Sequence, residues 1–193
     1  MKLDAALVTV LSLGTFLVQA NPIMPGLPVK GAMKYVGPIT PGGANVTLEG
    51  TAEHIHAQIL KLNPKFNPGD FHDDKSDHEL RTRSKTNTIC GKIAGGRANI
   101  RHIDAGIRYL NSLPGGCYAP AGPRACIRIS CSYGSAIYLC NDNNHSISPS
   151  CKYLATFAAD IGNACRYNRR YINGQEFDSD RYNVILKLYG ACR

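Results

Sequence analysis

Eight cysteines carry the most evident chemistry of this chain. None precedes residue 90, and they stand at Cys90, Cys117, Cys126, Cys131, Cys140, Cys151, Cys165 and Cys192. No Cys-x-x-Cys pair occurs, so the spacing does not indicate a zinc site. In an exported chain this cysteine density predicts a disulfide framework, and we expect all eight thiols to be oxidised.

The predicted elements exclude two of the possible cysteine pairs. Cys151 and Cys165 lie at opposite ends of one predicted helix, about 21 Å apart, which is beyond disulfide reach. Cys126 and Cys131 lie on one predicted strand, about 16 Å apart. Each must pair elsewhere, which predicts covalent ties between helix and sheet, while the full connectivity stays open.

The histidines show no metal-binding pattern. His54 and His56 are two residues apart on a predicted helix, so they point about 200° apart and cannot share an ion. His72 and His78 lie among acidic residues in a charged run that is typical of a solvated linker. We therefore predict neither a metal site nor a cofactor.

The chain could instead be an enzyme rather than a binding protein, and a secreted nuclease is the enzyme class that its residues fit best. Such an enzyme needs a general base, a general acid and an arginine beside the phosphate. His102, His145 and Glu176 are the residues that could act with the arginines of this chain. Their spacing matches no known motif, and the chain has no Gly-x-Ser-x-Gly, His-Glu-x-x-His or P-loop sequence, so we predict no catalytic residue.

Positive charge is concentrated in the cysteine-rich part. Residues 86–193 carry 13 Lys and Arg against six Asp and Glu, which is +7 of the total of +8. Within them Arg166, Arg169, Arg170 and Tyr171 form a basic and aromatic cluster. This cluster suits an acidic partner such as a phospholipid, a nucleic acid or an acidic glycan, and a solvated loop is the alternative interpretation.

Two sequons predict N-glycosylation. They are Asn45-Val46-Thr47 and Asn144-His145-Ser146. Each lies in a polar, turn-like stretch with room for an oligosaccharide, so we expect glycan sites at Asn45 and Asn144.

The first 20 residues have the pattern of a secretory signal peptide. Lys2 precedes an apolar run over 5–18. Residues 18–20 (VQA) have the pattern that signal peptidase cleaves after, so Ala20 would be the last residue of the signal peptide. The run is too short to span a bilayer. We therefore expect a secreted, extracellular protein.

Residues 21–85 are rich in proline and glycine and contain no cysteine. One short helix is predicted there, capped by Thr51 and ending at Leu62, with an apolar face made of Ile55, Ile59 and Leu62. We interpret 21–85 as a pro-segment or linker that buries little and is dispensable for the fold. The alternative is that the helix covers an apolar surface of the following domain.

Within 71–85 the charged run has no apolar periodicity and is predicted to be a linker. Arg81, Arg83 and Lys85 are basic enough for proteolytic trimming.

Residues 86–193 alternate between helix and strand patterns. The segments are a helix from Ile100 to Leu110 behind an Asn99 cap, strands over Cys126–Cys131 and Ala136–Cys140, a helix capped at Ser148-Pro149, a short strand near Tyr171-Ile172, and a strand over Tyr182–Tyr189. This order predicts an α+β fold, a small disulfide-stapled antiparallel sheet with two helices packed on one face.

Residues 86–193 resemble the small cysteine-rich secreted proteins of filamentous fungi. The stretches that carry the resemblance are 104–110 (DAGIRYL), 128–133 (RISCSY), 137–142 (IYLCND), 174–177 (GQEF) and 182–185 (YNVI). The stretch 45–64 also looks like the leader found in such proteins. More distantly, 126–192 is similar to the smut-fungus killer toxin family in its closely spaced strand cysteines, cysteine-bounded helix and terminal cysteine.

The second resemblance implies an α/β sandwich and a role as a channel-directed toxin or a host-surface effector. No functional residue of that family can be placed on this chain. We expect a monomer that binds an unidentified protein, membrane or glycan on a host or competitor cell. The alternatives are a secreted nuclease-like enzyme and a cell-wall or surface-binding structural protein.

Overall fold

The computed structural model describes residues 29–71 and 84–190, together with Cys192. The predicted signal peptide, the acidic run around His72 and His78, and the trimming residues Arg81 and Arg83 lie outside these residues. The described part is α+β, as predicted.

Three helices and twelve strands make up the described part. The helices are α1 (Ala52–Leu62), α2 (Ile100–Asn111) and α3 (Cys151–Ala164), with a single 3-10 turn at Pro68–Asp70. The strands are β1 (Val29–Ala32), β2 (Lys34–Pro38), β3 (Asn45–Glu49), β4 (Lys85–Cys90), β5 (Ala98–Asn99), β6 (Gly116–Tyr118), β7 (Ala125–Ser132), β8 (Ser135–Asn141), β9 (Arg166–Tyr167), β10 (Tyr171–Ile172), β11 (Gly174–Asp178) and β12 (Tyr182–Leu188).

The main sheet has six strands in the order β1-β7-β8-β12-β11-β4. Every neighbouring pair is antiparallel except β1 and β7, which run parallel. Alternating side chains of the central strands, Ile127, Ile137, Leu139, Val184 and Leu186, are fully buried in the core beneath the helices. Tyr138 and Ile185 belong to a smaller cluster, as period-2 alternation requires of the opposite face.

Helices α2 and α3 pack on each other and on this sheet, which confirms the predicted arrangement. One face of α3 is fully buried, and it consists of Leu154, Phe157, Ala158 and Ile161. In α2, a Cβ atom on Gly106 would lie only 2.2 Å from Ser130 Oγ, so glycine lets the helix approach β7 closely.

Helix α3 begins later than predicted. Its N-cap is Ser150, whose side chain accepts a hydrogen bond from the backbone N–H of Tyr153. The backbone before it is held against β6, because the Cys117 N–H donates to Pro149 O at 2.9 Å and Ser150 bridges to Gly116. The cap predicted at Ser148-Pro149 is therefore wrong.

Four disulfides pair all eight cysteines: Cys90–Cys165, Cys117–Cys151, Cys126–Cys140 and Cys131–Cys192. Cys90–Cys165 joins β4 to the C-terminal end of α3, and Cys117–Cys151 joins β6 to the first residue of α3. The expected disulfides between this helix and strands are therefore present. The other two differ from that expectation, because they join β7 to its neighbour β8 and to Cys192, which follows β12.

The region before the linker is part of the same core. Met33, Tyr35, Ala52, Ile55 and Ile59 are fully buried and belong to the cluster that lies beneath α2 and α3. Strand β2 pairs with β6, β1 pairs with β7, and α1 packs on α2 and β7. The expectation that this region buries little is therefore wrong, because β2 buries alternate residues and α1 buries one face.

The helix predicted after Thr51 is present as α1, with two differences. Thr51 occupies the N-cap position but its side chain makes no capping hydrogen bond. Leu62 is 59% exposed, so the buried face consists of Ala52, Ile55 and Ile59 instead.

A partly buried polar contact joins α1 to β7. Ser130 Oγ donates to Glu53 Oε1 at 2.5 Å, and the Cys131 N–H donates to Glu53 Oε2 at 3.5 Å. These hydrogen bonds lie next to the register shift of β7 between Arg128 and Ser130. The strand ladder is irregular there, so the Ser130 hydroxyl and the Cys131 N–H can donate to Glu53. No disulfide joins 29–71 to the rest of the protein, since this region has no cysteine.

Candidate anion-binding groove

One end of the molecule carries an open groove of about 420 Å³ lined mainly by polar and cationic residues. Its lining residues are Asn99, Ile100, Arg101, Asn168, Arg169, Arg170 and Tyr171. Three residues of the predicted basic cluster, Arg169, Arg170 and Tyr171, lie in it. The fourth, Arg166, lies beside it on β9 and is exposed.

The β9–β10 hairpin shapes one wall of the groove. Tyr167 pairs with Tyr171, and the Arg170 N–H donates to Tyr167 O at 3.2 Å. The turn residues Asn168 and Arg169 have φ values of 48° and 56°, in the left-handed region that closes such a tight turn. Both side chains are thereby presented at the tip of the hairpin, where they are exposed.

The start of α2 forms the other wall. Asn99 Oδ1 accepts a hydrogen bond from the Arg101 N–H at 3.0 Å, which confirms the predicted cap. The Asn99 N–H donates to Ser135 Oγ at 3.0 Å, and the Ile100 N–H donates to Arg170 O at 2.9 Å. These bonds fix the helix end against the hairpin, so the spacing between Arg101 and Arg170 is set by the backbone.

Sequence reasoning missed Arg101, although a signal for it existed. The Asn99 cap places Arg101 in the first turn of α2, where the helix dipole disfavours a cation and no acidic residue is present. Residues that violate a local stability preference are often there for function.

The groove arginines have no carboxylate partner among the described residues. The ion pairs found there join Lys34 to Glu49 and Lys85 to Asp160 instead. The acidic side chain closest in sequence to Arg101 is the exposed Asp104, one turn further along α2. Three uncompensated guanidinium groups around one concavity create a positive potential that favours an anionic ligand.

Aromatic and apolar side chains surround the groove. The Arg97 guanidinium lies over the Tyr167 ring, 4.1 Å from its centroid. Tyr133, at the turn between β7 and β8, is 74% exposed, and its ring centroid lies 4.8 Å from that of His102 on the first turn of α2. Leu188, the last residue of β12, is 43% exposed.

We call this surface the cationic end. It comprises Arg97, Arg101, Arg166, Arg169 and Arg170 together with Tyr133, Tyr167, Tyr171 and Leu188. Four of the nine large apolar side chains exposed in the described residues belong to it.

The structure does not assemble the nuclease residues. His102 lies at the cationic end, whereas His145 follows β8 at the opposite end of the β7–β8 hairpin. The seven residues of β8 place the two histidines about 20 Å apart. Glu176 points beneath α3 and is 6% exposed, so it faces neither histidine across an open cavity.

Glu176 is instead a buried acid of the core. Thr88 Oγ1 donates to its Oε1 at 3.2 Å, while Oε2 has no hydrogen-bond partner among the described residues. Burial raises the pKa of Glu176 above its usual value, and the positive charge of Lys85 opposes that rise. A protonated Glu176 needs less solvation than its carboxylate, which explains how the side chain is tolerated there.

Both sequon asparagines are exposed and lie away from the cationic end. Asn144 follows β8 beside a second cavity of about 310 Å³ that His145 and Arg181 help to line. Asn45 opens β3, opposite Pro38 of β2. Neighbouring Gly37 lies against Gly115, which follows the C-terminal end of α2. A glycan on either asparagine would leave the groove uncovered.

The geometry defines a disulfide-stapled α+β protein with an arginine-lined groove at one end. No protein-family model, curated protein or solved structure matches the chain. Among the residues that the structure describes, no helix has the length and apolar character to cross a membrane, and no cluster of three His, Cys, Asp or Glu side chains could hold a metal ion.

Proposed function

We propose that this chain is a secreted effector or toxin-like protein that binds an acidic target on the surface of a host or competitor cell. The observation that carries the proposal is the groove in which Arg101, Arg169 and Arg170 converge without carboxylate partners among the residues that the structure describes. Binding, rather than turnover, is the function that this arrangement supports, because the groove holds no general acid–base pair.

Arginine is well suited to this role. Its planar guanidinium can donate two parallel hydrogen bonds to a phosphate, sulfate or carboxylate, and it remains charged at every physiological pH. The hydrogen bonds of Ile100 and Asn99 hold the two walls in place before any ligand arrives. A preformed site loses less conformational entropy on binding than a flexible basic loop would.

The disulfides and the N-terminal pattern support action outside the cell. All eight cysteines are paired, and structural disulfides persist mainly in oxidising compartments. Two of the four bonds fix the ends of α3, which directly precedes the β9–β10 hairpin. The covalent framework therefore supports the wall that carries Arg169 and Arg170.

The test compares surface binding by the labelled full-length protein and by its Arg169→Gln/Arg170→Gln variant on intact plant and fungal cells. We expect the variant to bind at least about tenfold more weakly, because two charge-assisted contacts are lost, and to lose any growth arrest that the wild type causes. The matched control is Lys61→Gln/Arg108→Gln, which removes the same charge from α1 and the last turn of α2.

Equal binding by the wild type and the groove variant would contradict the proposal. So would turnover of RNA by the purified protein that is lost on His102→Ala or His145→Ala, since that would make the chain an enzyme.

A further inference from the structure

We infer that the cationic end docks on an anionic phospholipid bilayer, with its arginines on lipid phosphates and the side chains of Tyr133 and Leu188 in the interfacial layer. This inference rests on the proposed function, because it names the class of the acidic target. The evidence is the combination of charge with exposed apolar side chains on a rigid base.

Tyr133 and Leu188 lie close together, and backbone hydrogen bonds hold the segments that carry them. The Tyr189 N–H donates to Gly134 O at 2.6 Å, and the Leu188 N–H donates to Gly96 O at 3.2 Å. The Gly134 N–H donates to Cys192 O, and the Cys131–Cys192 disulfide ties that residue to the end of β7. Exposed Tyr133 and Leu188 therefore project from a cross-linked backbone, which makes their exposure a property of the fold.

The charges complement an anionic membrane. Five arginines lie at this end, and an anionic leaflet attracts each nearby cation with about 1 kcal/mol, which is about a fivefold gain in binding per arginine. Tyrosine is enriched at the depth of lipid headgroups, because its ring is apolar and its hydroxyl group is polar. Tyr167 and Tyr171 lie in the same hairpin as Arg169 and Arg170, and Tyr133 lies against His102 in the first turn of α2.

A nucleic acid or a glycan fits this surface less well. Both ligands use the faces of aromatic rings as stacking platforms. Here the Arg97 guanidinium already covers one face of Tyr167, so that face is not available to a base or a sugar. Leu188 offers neither a ring nor a hydrogen bond, but it can be buried among acyl chains.

The first experiment measures vesicle co-sedimentation of the full-length protein. The vesicles are phosphatidylcholine alone and phosphatidylcholine with phosphatidylserine at about 7:3, which gives an anionic surface potential. We expect binding only to the mixed vesicles and a loss of about 30-fold in the Arg169→Gln/Arg170→Gln variant. The matched Lys61→Gln/Arg108→Gln variant should bind like the wild type.

The same assay at raised salt isolates the apolar contribution, because salt screens the arginines. Tyr133→Ser/Leu188→Ser should then bind on the order of tenfold more weakly than the wild type. Leu62→Ser removes from α1 a leucine that is more exposed than Leu188, and it should leave binding unchanged. Thermal unfolding of each variant verifies that it is folded.

The second experiment uses the absence of tryptophan from the chain. Tyr133→Trp creates a single reporter whose emission should shift to the blue on mixed vesicles, because the indole leaves water. Leu62→Trp is the control reporter and should not shift.

Binding of the Arg169→Gln/Arg170→Gln variant at the wild-type level would overturn the inference. The absence of a shift at Tyr133→Trp, or capture of the protein by heparin or RNA but not by mixed vesicles, would also overturn it. Groove-dependent binding to cells without binding to vesicles would leave the proposed function standing, whereas groove-independent binding to cells would refute that function itself.

Discussion

Residues 29–71 and residues 84–192 build one core by different means. The second region is cross-linked by four disulfides, while the first has no covalent tie across the interface. Yet the first contributes fully buried Met33, Tyr35, Ile55 and Ile59 to the cluster beneath α2 and α3. The difference shows that cysteine distribution marks where covalent stabilisation lies and does not mark where the fold begins.

The two regions also differ in how they are stabilised. Each fully buried large apolar side chain of the first region contributes about 1.5–3 kcal/mol by leaving water. The disulfides act mainly by restricting the unfolded chain, and each contributes about 2–4 kcal/mol depending on loop length. A reductant should therefore weaken the second region directly, whereas the first depends on apolar burial, strand pairing and the Glu53 hydrogen bonds.

The largest expected effect comes from removing the first region. A chain beginning at Ser84, expressed behind a signal peptide, should fail to be secreted or should aggregate, because it loses the partners of β6, β7 and α2. Secretion yield and size-exclusion chromatography measure this effect, and co-expression of residues 29–71 as a separate chain should restore the yield. If the truncated protein is monomeric and its thermal stability is unchanged, residues 29–71 do not contribute to the stability of the core.

The disulfide that closes the longer loop should contribute more to the free energy of unfolding than the one that closes the shorter loop. Cys90–Cys165 closes a separation of 75 residues and Cys126–Cys140 one of only 14. Cys90→Ala/Cys165→Ala should cost about 3–5 kcal/mol in free energy of unfolding, and Cys126→Ala/Cys140→Ala about 1 kcal/mol less. Denaturant titration compares the two, and equal costs would show that native-state packing outweighs the entropy of the unfolded chain.

Within α1, a buried and an exposed residue give a matched pair. Ile59→Ala should destabilise the protein by about 2–4 kcal/mol, because it leaves a cavity in the shared core. Leu62→Ala should change stability by less than about 0.5 kcal/mol, since its side chain lies in solvent. Similar effects at the two positions would mean that α1 is only loosely attached in solution.

The smallest effect concerns the buried acid of the second region. Because the pKa of Glu176 is raised, the folded state binds more protons than the unfolded state between the usual pKa of 4.5 and the raised value. Stability should therefore fall as pH rises through that window. Glu176→Gln should remove this slope and stabilise the protein at neutral pH by about 1 kcal/mol, because no carboxylate is left partly unpaired.

The control for that titration is Glu53→Gln at the junction of the two regions. Both oxygens of Glu53 accept hydrogen bonds from β7, so its substitution should destabilise the protein at neutral pH. Melting curves from acid to neutral pH measure both variants. A pH slope that persists in Glu176→Gln would assign it to another group.

Local signals predicted the two helices and the longest strands of the second region, but not its strands β4, β5, β6, β9 and β11. Asn99 and the helix pattern that follows it indicated α2, and the strand patterns indicated β7, β8 and β12 within one or two residues. The strands β1 to β4 were missed, because they are short and their apolar alternation is interrupted by glycine, proline or polar residues. Their pairing energy comes from β6, β7 and β11, which local pattern reasoning does not include.

For the candidate site, the sequence alone determined the basic cluster of Arg166, Arg169, Arg170 and Tyr171, since these residues are neighbours in the chain. Only the tertiary structure brought Arg101 into the groove, through the hydrogen bond between Ile100 and Arg170. It likewise placed Tyr133 and Leu188 beside one another at the same end. The sequence could predict only the first of these, because hydrophobic periodicity and composition are properties of a single segment. Which side chains come together, and which are buried, depends on which distant segments pair.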